Sequence, residues 1–210
     1  TDCIQVGKAC VCNDDIGVNN FKKVSSVATQ IFSMGDMIEY TPKSNNEVFF
    51  WPIDLEANFG KRYTPHFPQK NTYTTLNIVH APNHREFKGT KYLEKAVKEL
   101  QLEGFDLELV LVEKMSNSDA LNMYKKADII FDQCLIGFYG YFALEGMALG
   151  KPVMSFIRKP NEYLLAPTEC PIINTNLFTL RDDLRNLLIR RNELEAIGKH
   201  GRNYIEKYFS

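Results

Sequence analysis

The chain of 210 residues carries 25 Lys and Arg against 26 Asp and Glu, a net charge of −1, and is 44% apolar and 24% charged. That length suits one ordinary domain with a smaller appendage. The balance excludes a disordered or fibrous chain and leaves no global positive field for a nucleic-acid backbone or an anionic membrane, and no apolar run approaches the roughly 18–20 residues of a membrane span.

The chain opens on Thr1 with neither an initiator Met nor a basic-then-apolar leader, and so reads as a processed chain or a fragment. Cys3, Cys10, Cys12, Cys134 and Cys170 sit at irregular positions, which is no disulfide framework and points to a reducing cytoplasm. Cys10 and Cys12, with Cys3, Asp14 and Asp15 nearby, have donor atoms for a soft metal. A second CxxC-type pair is missing, so unbonded thiols are the simpler reading. Residues 1–70 are irregular, with Asn-rich turns at Asn13, Asn19-Asn20 and Asn45-Asn46. Within them Val24, Val27, Ala28 and Ile31 fall three and four apart and predict a helix from Phe21 to Phe32. Val48-Phe49-Phe50-Trp51 predicts a strand ended by Pro52. GKRYTPHFPQKN, residues 60–71, reads as a linker.

From residue 72 the pattern becomes regular. Leu76 to Val79 predicts a strand, and Lys91 to Gln101 a helix whose Leu93, Ala96, Val97 and Leu100 form one apolar stripe. Leu107 to Val112 predicts a second strand. Ser118 is the expected N-cap of a short helix running to Lys126. Ile129 to Phe131 follows as a strand, then a helix from Tyr141 to Leu149, stopped by Gly150. Val153 to Phe156 and Ile172-Ile173 complete the strands, and helices over 180–190 and 191–209 close the chain. Strands alternating with helices predict an α/β fold, a Rossmann-like parallel sheet with helices on both faces. In such sheets ligands sit beyond the carboxyl ends of the strands, here after Val79, Val112, Phe131 and Phe156.

Two of those loops carry chemistry. The first, HAPNHREFKGT, holds His84, Arg85 and Lys88 and enters a helix through Gly89-Thr90. Backbone N–H groups at a helix start attract anions. Arg85 can clamp a phosphate through paired donors while Lys88 adds a point charge. The plainer reading is a solvated basic loop with Thr90 as the cap. The second loop, DQCLIGFYGYFALEGMALGKPV, brackets Phe138 and Tyr139 between Gly137 and Gly140 before a helix that carries Glu145 among apolar neighbours. Glycines there let a ligand approach the backbone closely. A carboxylate in such a setting needs a partner, either the vicinal hydroxyls of a ligand or a Lys or Arg. The two loops together suit a nucleoside diphosphate gripped by two helix tips. His80 reads equally as a ligand contact or a structural imidazole. Asp128 reads as a cap, and Asp132 as a residue able to face the crevice. Phe138 and Tyr139 could stack on a base or sugar, though loop filling is commoner. Glu113 and Lys114 stand where a base could be read, and Arg185, Arg190 and Arg191 read as a solvated face.

HAPNHREFKGT followed by GYFALEGMALGKPV resembles the C-terminal, donor-binding half of GT-B-fold glycosyltransferases, in particular the large family 4, or group 1, of retaining enzymes. The resemblance covers about residues 74–210. FSMGDMIEYTP and FFWPIDLE are similar, more weakly, to the end of an N-terminal domain and its linker, so 1–70 is expected as an incomplete N-terminal segment and 71–210 as the nucleotide-sugar-binding domain. The resemblance implies catalytic roles for Arg85 and Lys88, which would bind the diphosphate and stabilise the departing nucleotide. It implies donor contacts at Gly89, Gly137, Phe138, Gly140, Tyr141, Phe142 and Glu145. Glu145 matches the second glutamate of the family's Glu-x7-Glu motif, which holds the ribose, whereas the first falls at Gly137. The implied activity is transfer of a sugar from a nucleotide-diphosphate sugar to a glycan or lipid-linked acceptor. No cofactor, metal or nucleic acid is implied. The implied setting is cytoplasmic, peripheral to the inner face of the membrane where the acceptor is lipid-linked. Residues 1–70 are too short for a full N-terminal domain, so the alternatives are a non-catalytic nucleotide-sugar-binding module and a GT-B nucleotide-sugar epimerase. A receiver domain is set aside because His80-Ala81-Pro82 stands where its acidic pair belongs.

Overall fold

The structure, a computed structural model, describes residues 14–41, 43–45, 51–57, 60–68 and 75–210. Its centre is a five-stranded parallel sheet in the order β2-β1-β3-β4-β5. The strands are β1 (Leu76–His80), β2 (Leu107–Leu111), β3 (Ile129–Gln133), β4 (Val153–Ser155) and β5 (Ile173–Asn174). The helices are α1 (Asp14–Val27), α2 (Arg85–Lys88), α3 (Thr90–Leu102), α4 (Asn117–Lys125), α5 (Tyr141–Ala148), α6 (Pro160–Tyr163), α7 (Leu180–Ile189) and α8 (Leu194–Tyr208).

Side chains alternate between the faces of a strand, so β1 and β3 each feed two cores. Ile78, Ile129 and Phe131 join Met154 and the α3 stripe Leu93, Ala96, Val97 and Leu100, with Leu180 and Leu184 of α7. Val79 and Ile130 point the other way, into Leu144 and Met147 of α5 and Tyr204 and Ile205 of α8. Each large apolar side chain so buried contributes about 1.5–3 kcal/mol relative to exposure. The expected doubly covered parallel sheet is therefore the observed one.

Several local expectations are corrected. The N-cap before α4 is Ser116 rather than Ser118: Ser116 Oγ accepts from the Asp119 N–H at 3.2 Å and donates to Asp119 Oδ2 at 2.6 Å. This reciprocal pair closes the helix start better than Ser118 could. The first helix among the described residues is Asp14–Val27, not Phe21–Phe32, and its Val24 and Val27 are 57% and 83% exposed. It ends early because the backbone groups of 31–33 pair with Asn45, through Asn45 N–H to Ile31 O at 2.7 Å and Ser33 N–H to Asn45 O at 3.1 Å. Val48 to Phe50 lie outside the described residues, as do Cys3, Cys10 and Cys12, while Trp51 sits in irregular chain.

Residues 60–68, expected as linker, lie against the sheet domain. The His66 N–H donates to Leu149 O at 2.8 Å, and Arg202 Nη1 of α8 reaches both Tyr63 O at 2.7 Å and Ala148 O at 2.8 Å. Ile53 is fully buried, its N–H on Phe209 O at 2.6 Å. Among the described residues no helix is long and apolar enough to cross a membrane.

Candidate functional site

The chain leaves β1 for β2 on one side and returns to β3 on the other. The loops after β1 and β3 therefore part at the carboxyl edge of the sheet, and a crevice opens between them. His80 closes β1 beneath that crevice and is fully buried. Its Nδ1 lies 2.8 Å from Phe131 O and its Nε2 2.8 Å from Thr90 Oγ1. A carbonyl only accepts, so Nδ1 carries the proton and Nε2 accepts from the Thr90 hydroxyl. The imidazole is thus a neutral structural bolt between β1, β3 and α3, and burial pushes it down to about 4. The folded chain refuses a proton that the unfolded chain accepts near pH 6.5. Stability should therefore fall as pH drops from about 6.5 to about 4, by about 3 kcal/mol, and stay level below. Urea unfolding at pH 7 and pH 4 checks this, and His80→Asn should remove that part of the slope.

Lys88 ends α2 and extends across the crevice, where its Nζ donates to Asp132 Oδ1 at 2.7 Å. Asp132, in β3, is fully buried at its carboxylate, whereas the Lys88 side chain keeps 18% exposure. Asp132 Oδ2 also accepts from the Gly140 N–H at 2.7 Å and from Ser155 Oγ at 3.1 Å. The charge is therefore balanced by one cation and two further donors, which makes burial tolerable. Gly140 packs closely on this pair: a Cβ there would stand 3.1 Å from Lys88 Nζ and 3.4 Å from Asp132 Oδ1, so Lys88 would have to give by a few tenths of an ångström.

Gln133 shapes the rest of the loop. Its Oε1 accepts from the N–H groups of Leu135 and Ile136, both at 2.8 Å, and its Nε2 donates to Phe156 O at 2.7 Å and Phe138 O at 3.2 Å. Phe138 and Tyr139 stack on each other at 4.2 Å, and Trp51 packs on both at 6.5 Å. These residues wall a cavity of about 470 Å³ together with Phe32, Met34, Met37, Lys88 and Gly140. Gly137 takes a left-handed φ of +94° and receives the Arg158 N–H on its carbonyl at 2.9 Å.

The remaining candidates are distributed differently from the expected two-tip grip. Gly89 does not offer a free N–H, because its amide donates to Arg85 O at 3.0 Å and Glu86 O at 3.3 Å. The short helix α2 thus covers the start of α3, and Thr90 lies inside α3 with its hydroxyl on His80 instead of capping. The helix tip that remains is that of α5, where the N–H groups of Tyr141 and Phe142 fall in the first turn and lack intrahelical acceptors. Arg85 points away from Lys88. It forks onto Glu113 at 2.8 and 2.5 Å, lies 3.6 Å from Glu94, and is 48% exposed. That pair raises the Arg85 guanidinium and lowers the Glu113 carboxyl.

Glu145 is buried one turn into α5, and its Oε1 accepts from the Tyr63 hydroxyl at 3.1 Å. Burial raises its carboxyl, with Tyr63, Arg62 and Asn117 acting in the opposite direction. Of the two kinds of partner expected, a ligand's vicinal hydroxyls or a Lys or Arg, the structure shows no ion pair to the second among the described residues and places a tyrosine hydroxyl from the N-terminal segment on the carboxylate. Tyr141 donates its hydroxyl to Pro52 O at 2.8 Å, and Phe142 packs on Tyr124 at 4.7 Å. Tyr124 and Asn117 then border a second, polar cavity of about 430 Å³ at the ends of β1 and β2, together with Asn83, Glu113 and Lys114. Lys114 holds a left-handed φ of +53°, a strained conformation for a residue with a side chain.

Lys88, Phe138 and Gly140 therefore share one cavity, while Glu145 and Phe142 lie toward the other. Sequence reasoning missed Gln133 and Tyr63 and did not pair Asp132 with Lys88. Two polar residues ending a strand that is otherwise apolar, IIFDQ, were the available signal for Asp132 and Gln133.

No protein-family model and no curated protein matches the chain. Solved structures do match in fold. Sucrose-phosphate synthase from Thermosynechococcus elongatus matches with TM-score 0.65 and 12% identity, over 95% of this chain and 59% of that one. Anabaena HepE, solved in complex with UDP and glucose, matches with TM-score 0.65 and 11% identity, over 95% and 64%. WaaG, a glycosyltransferase involved in lipopolysaccharide biosynthesis, matches with TM-score 0.52 and 12% identity, over 84% and 58%. The chain thus spans about three fifths of the length of these proteins. At such identities the likeness shows the fold, a Rossmann-like α/β sheet of the kind found in GT-B glycosyltransferases.

Proposed function

We propose that this chain supplies the donor-binding part of a glycosyltransferase, which moves a sugar from a nucleoside-diphosphate sugar to a glycan or lipid-linked acceptor with retention of configuration. The observation that carries this reading is Lys88 Nζ, fixed by Asp132 at the start of α5 and at the edge where β1 and β3 diverge. A cation beside first-turn N–H groups is where a diphosphate gains most, both bound and as the departing group. In this reading the base enters the polar cavity beside Asn83, Glu113 and Lys114, and Glu145 takes the ribose hydroxyls in exchange for the Tyr63 hydroxyl. Arg85 joins the phosphates only after releasing Glu113, so Lys88 carries the larger share. The apolar wall of the 470 Å³ cavity, formed by Phe32, Met34, Met37, Trp51 and Phe138, favours the lipid-linked of the two acceptor classes.

A thermal-shift panel of UDP, GDP, ADP and CDP tests the donor half of the proposal. A nucleotide at about 100 times its Kd should stabilise the chain by about 2.7 kcal/mol, or roughly 5–10 °C for a protein of this size. One base should stand out. Melting temperatures that ignore all four nucleotides would overturn the reading.

A further inference from the structure

The opposite edge of the sheet holds a second polar cavity. Asp128 stands immediately before β3 and Lys151-Pro152 immediately before β4, so this edge is the amino end of the strands, away from Lys88 and α5's first turn. The cavity measures about 230 Å³ and is lined by His66, Phe67, Lys125, Lys126, Asp128 and Lys151 among others. Lys151 is 3% exposed, yet among the described residues its Nζ makes no hydrogen bond and no ion pair. The carboxylate that acts on it is Asp128, whose Oδ2 is engaged by the Asn77 N–H at 2.9 Å. Burial lowers the Lys151 ammonium to about 8, which leaves it charged at neutral pH. An ammonium so shielded from bulk water, with Asp128 acting on it only from beyond ion-pair distance, is costly and favours a closer counter-ion.

The exposed Lys126 and half-buried Lys125 have an alternative explanation, since cations at the end of α4 complement its dipole. Lys151 stands just past the end of α5, where its backbone N–H bonds Gly146 O at 2.9 Å, but among the described residues its Nζ reaches no carbonyl and is turned into the cavity instead. Three ammonium groups against one carboxylate also outweigh the roughly half charge of a helix end. His66 stands among them, lowered first by burial and then by Lys151 and Lys125. The cavity falls below the roughly 300–1,000 Å³ of drug-sized ligand sites, which restricts the occupant to a small anion.

We propose that this cavity binds a phosphate dianion, free or as the head of a small phosphomonoester, on the buried Lys151 Nζ with Lys125, Lys126 and His66 around it. Such a site is separate from the donor crevice, and its occupancy would hold residues 66–68 against the α4 end and the Gly150-Lys151 turn.

The test is calorimetric titration of the full chain at pH 7 and fixed ionic strength with inorganic phosphate, glycerol phosphate and chloride. Phosphate should bind where chloride does not. Lys151→Met should weaken it tenfold or more, and Lys125→Ala/Lys126→Ala several-fold. Tighter glycerol phosphate identifies a phosphomonoester, and equal or weaker binding identifies the free ion. No preference over chloride, or undiminished binding in Lys151→Met, overturns the proposal. In the wild-type chain, carbon-13 NMR of the lysine ε positions gives an independent readout. Phosphate should move the Lys151 titration upward, and an unmoved titration also overturns the proposal. Nucleotide binding is read separately, so either site can fail without the other.

Discussion

Lys88→Met is expected to weaken nucleoside-diphosphate binding about 30- to 100-fold and to reduce turnover by a further factor of about 100 or more. A charge-assisted contact to phosphate contributes about 1.5–3 kcal/mol, and a group aimed at charge that develops during reaction adds roughly 10²–10³ in rate. The same substitution strips the buried Asp132 carboxylate of the one ion-pair partner it has among the described residues and leaves it the Gly140 N–H and Ser155 hydroxyl. Some stability must therefore be lost as well, about 1–3 kcal/mol. Lys88→Met/Asp132→Asn separates the two effects. Removing the pair as a unit leaves no unpaired buried charge, so urea unfolding should return toward wild type. Titration calorimetry should still find the nucleotide bound weakly. If affinity recovers together with stability, Lys88 serves the fold and not the ligand.

The double variant is informative because the Lys88–Asp132 pair was not legible in the sequence. Each residue was visible singly: Lys88 in a basic loop, Asp132 at the end of a strand. Their 44-residue separation is bridged only once β1 and β3 lie side by side. The same holds for Tyr63 and Glu145, 82 residues apart, and for Arg85 and Glu113. By contrast α3 and the strands were readable because their apolar residues repeat with the period of the element over enough positions. The strand ends lie within about two residues of expectation. Helix α2 shows the limit of that signal. Four residues cannot display a 3.6-residue period, and yet α2 decides whether the start of α3 is open to a ligand. The expected pair of helix tips thus became one tip and one lysine. The N-terminal segment was the least legible, because it docks partly by backbone bonds such as His66 to Leu149, which carry no side-chain signature, and partly by side chains such as Tyr63 whose partners lie far along the chain.

Gly89→Ala should lower stability by about 3 kcal/mol or more, roughly 6–12 °C in melting temperature, and take nucleotide binding with it. Two independent costs meet at this position. Gly89 has φ +80°, where any L side chain pays about 1–2 kcal/mol, because the chain must turn sharply from α2 into α3. A Cβ would also stand 2.4 Å from Cys134 Sγ. Cys134 is almost fully buried, and its N–H is tied to Lys88 O at 3.3 Å, so the thiol has little room to retreat and a shift of its backbone would disturb the residue whose ammonium is proposed to bind the diphosphate. Cys134→Ala removes the overlapping sulfur and leaves the backbone strain. The double variant Gly89→Ala/Cys134→Ala should therefore be more stable than the sum of the singles by about 1–2 kcal/mol, while remaining below Cys134→Ala alone. Additive singles would place the two residues out of contact. A Gly89→Ala chain as stable as wild type would mean that the turn, and with it the aim of Lys88 across the crevice, is built some other way.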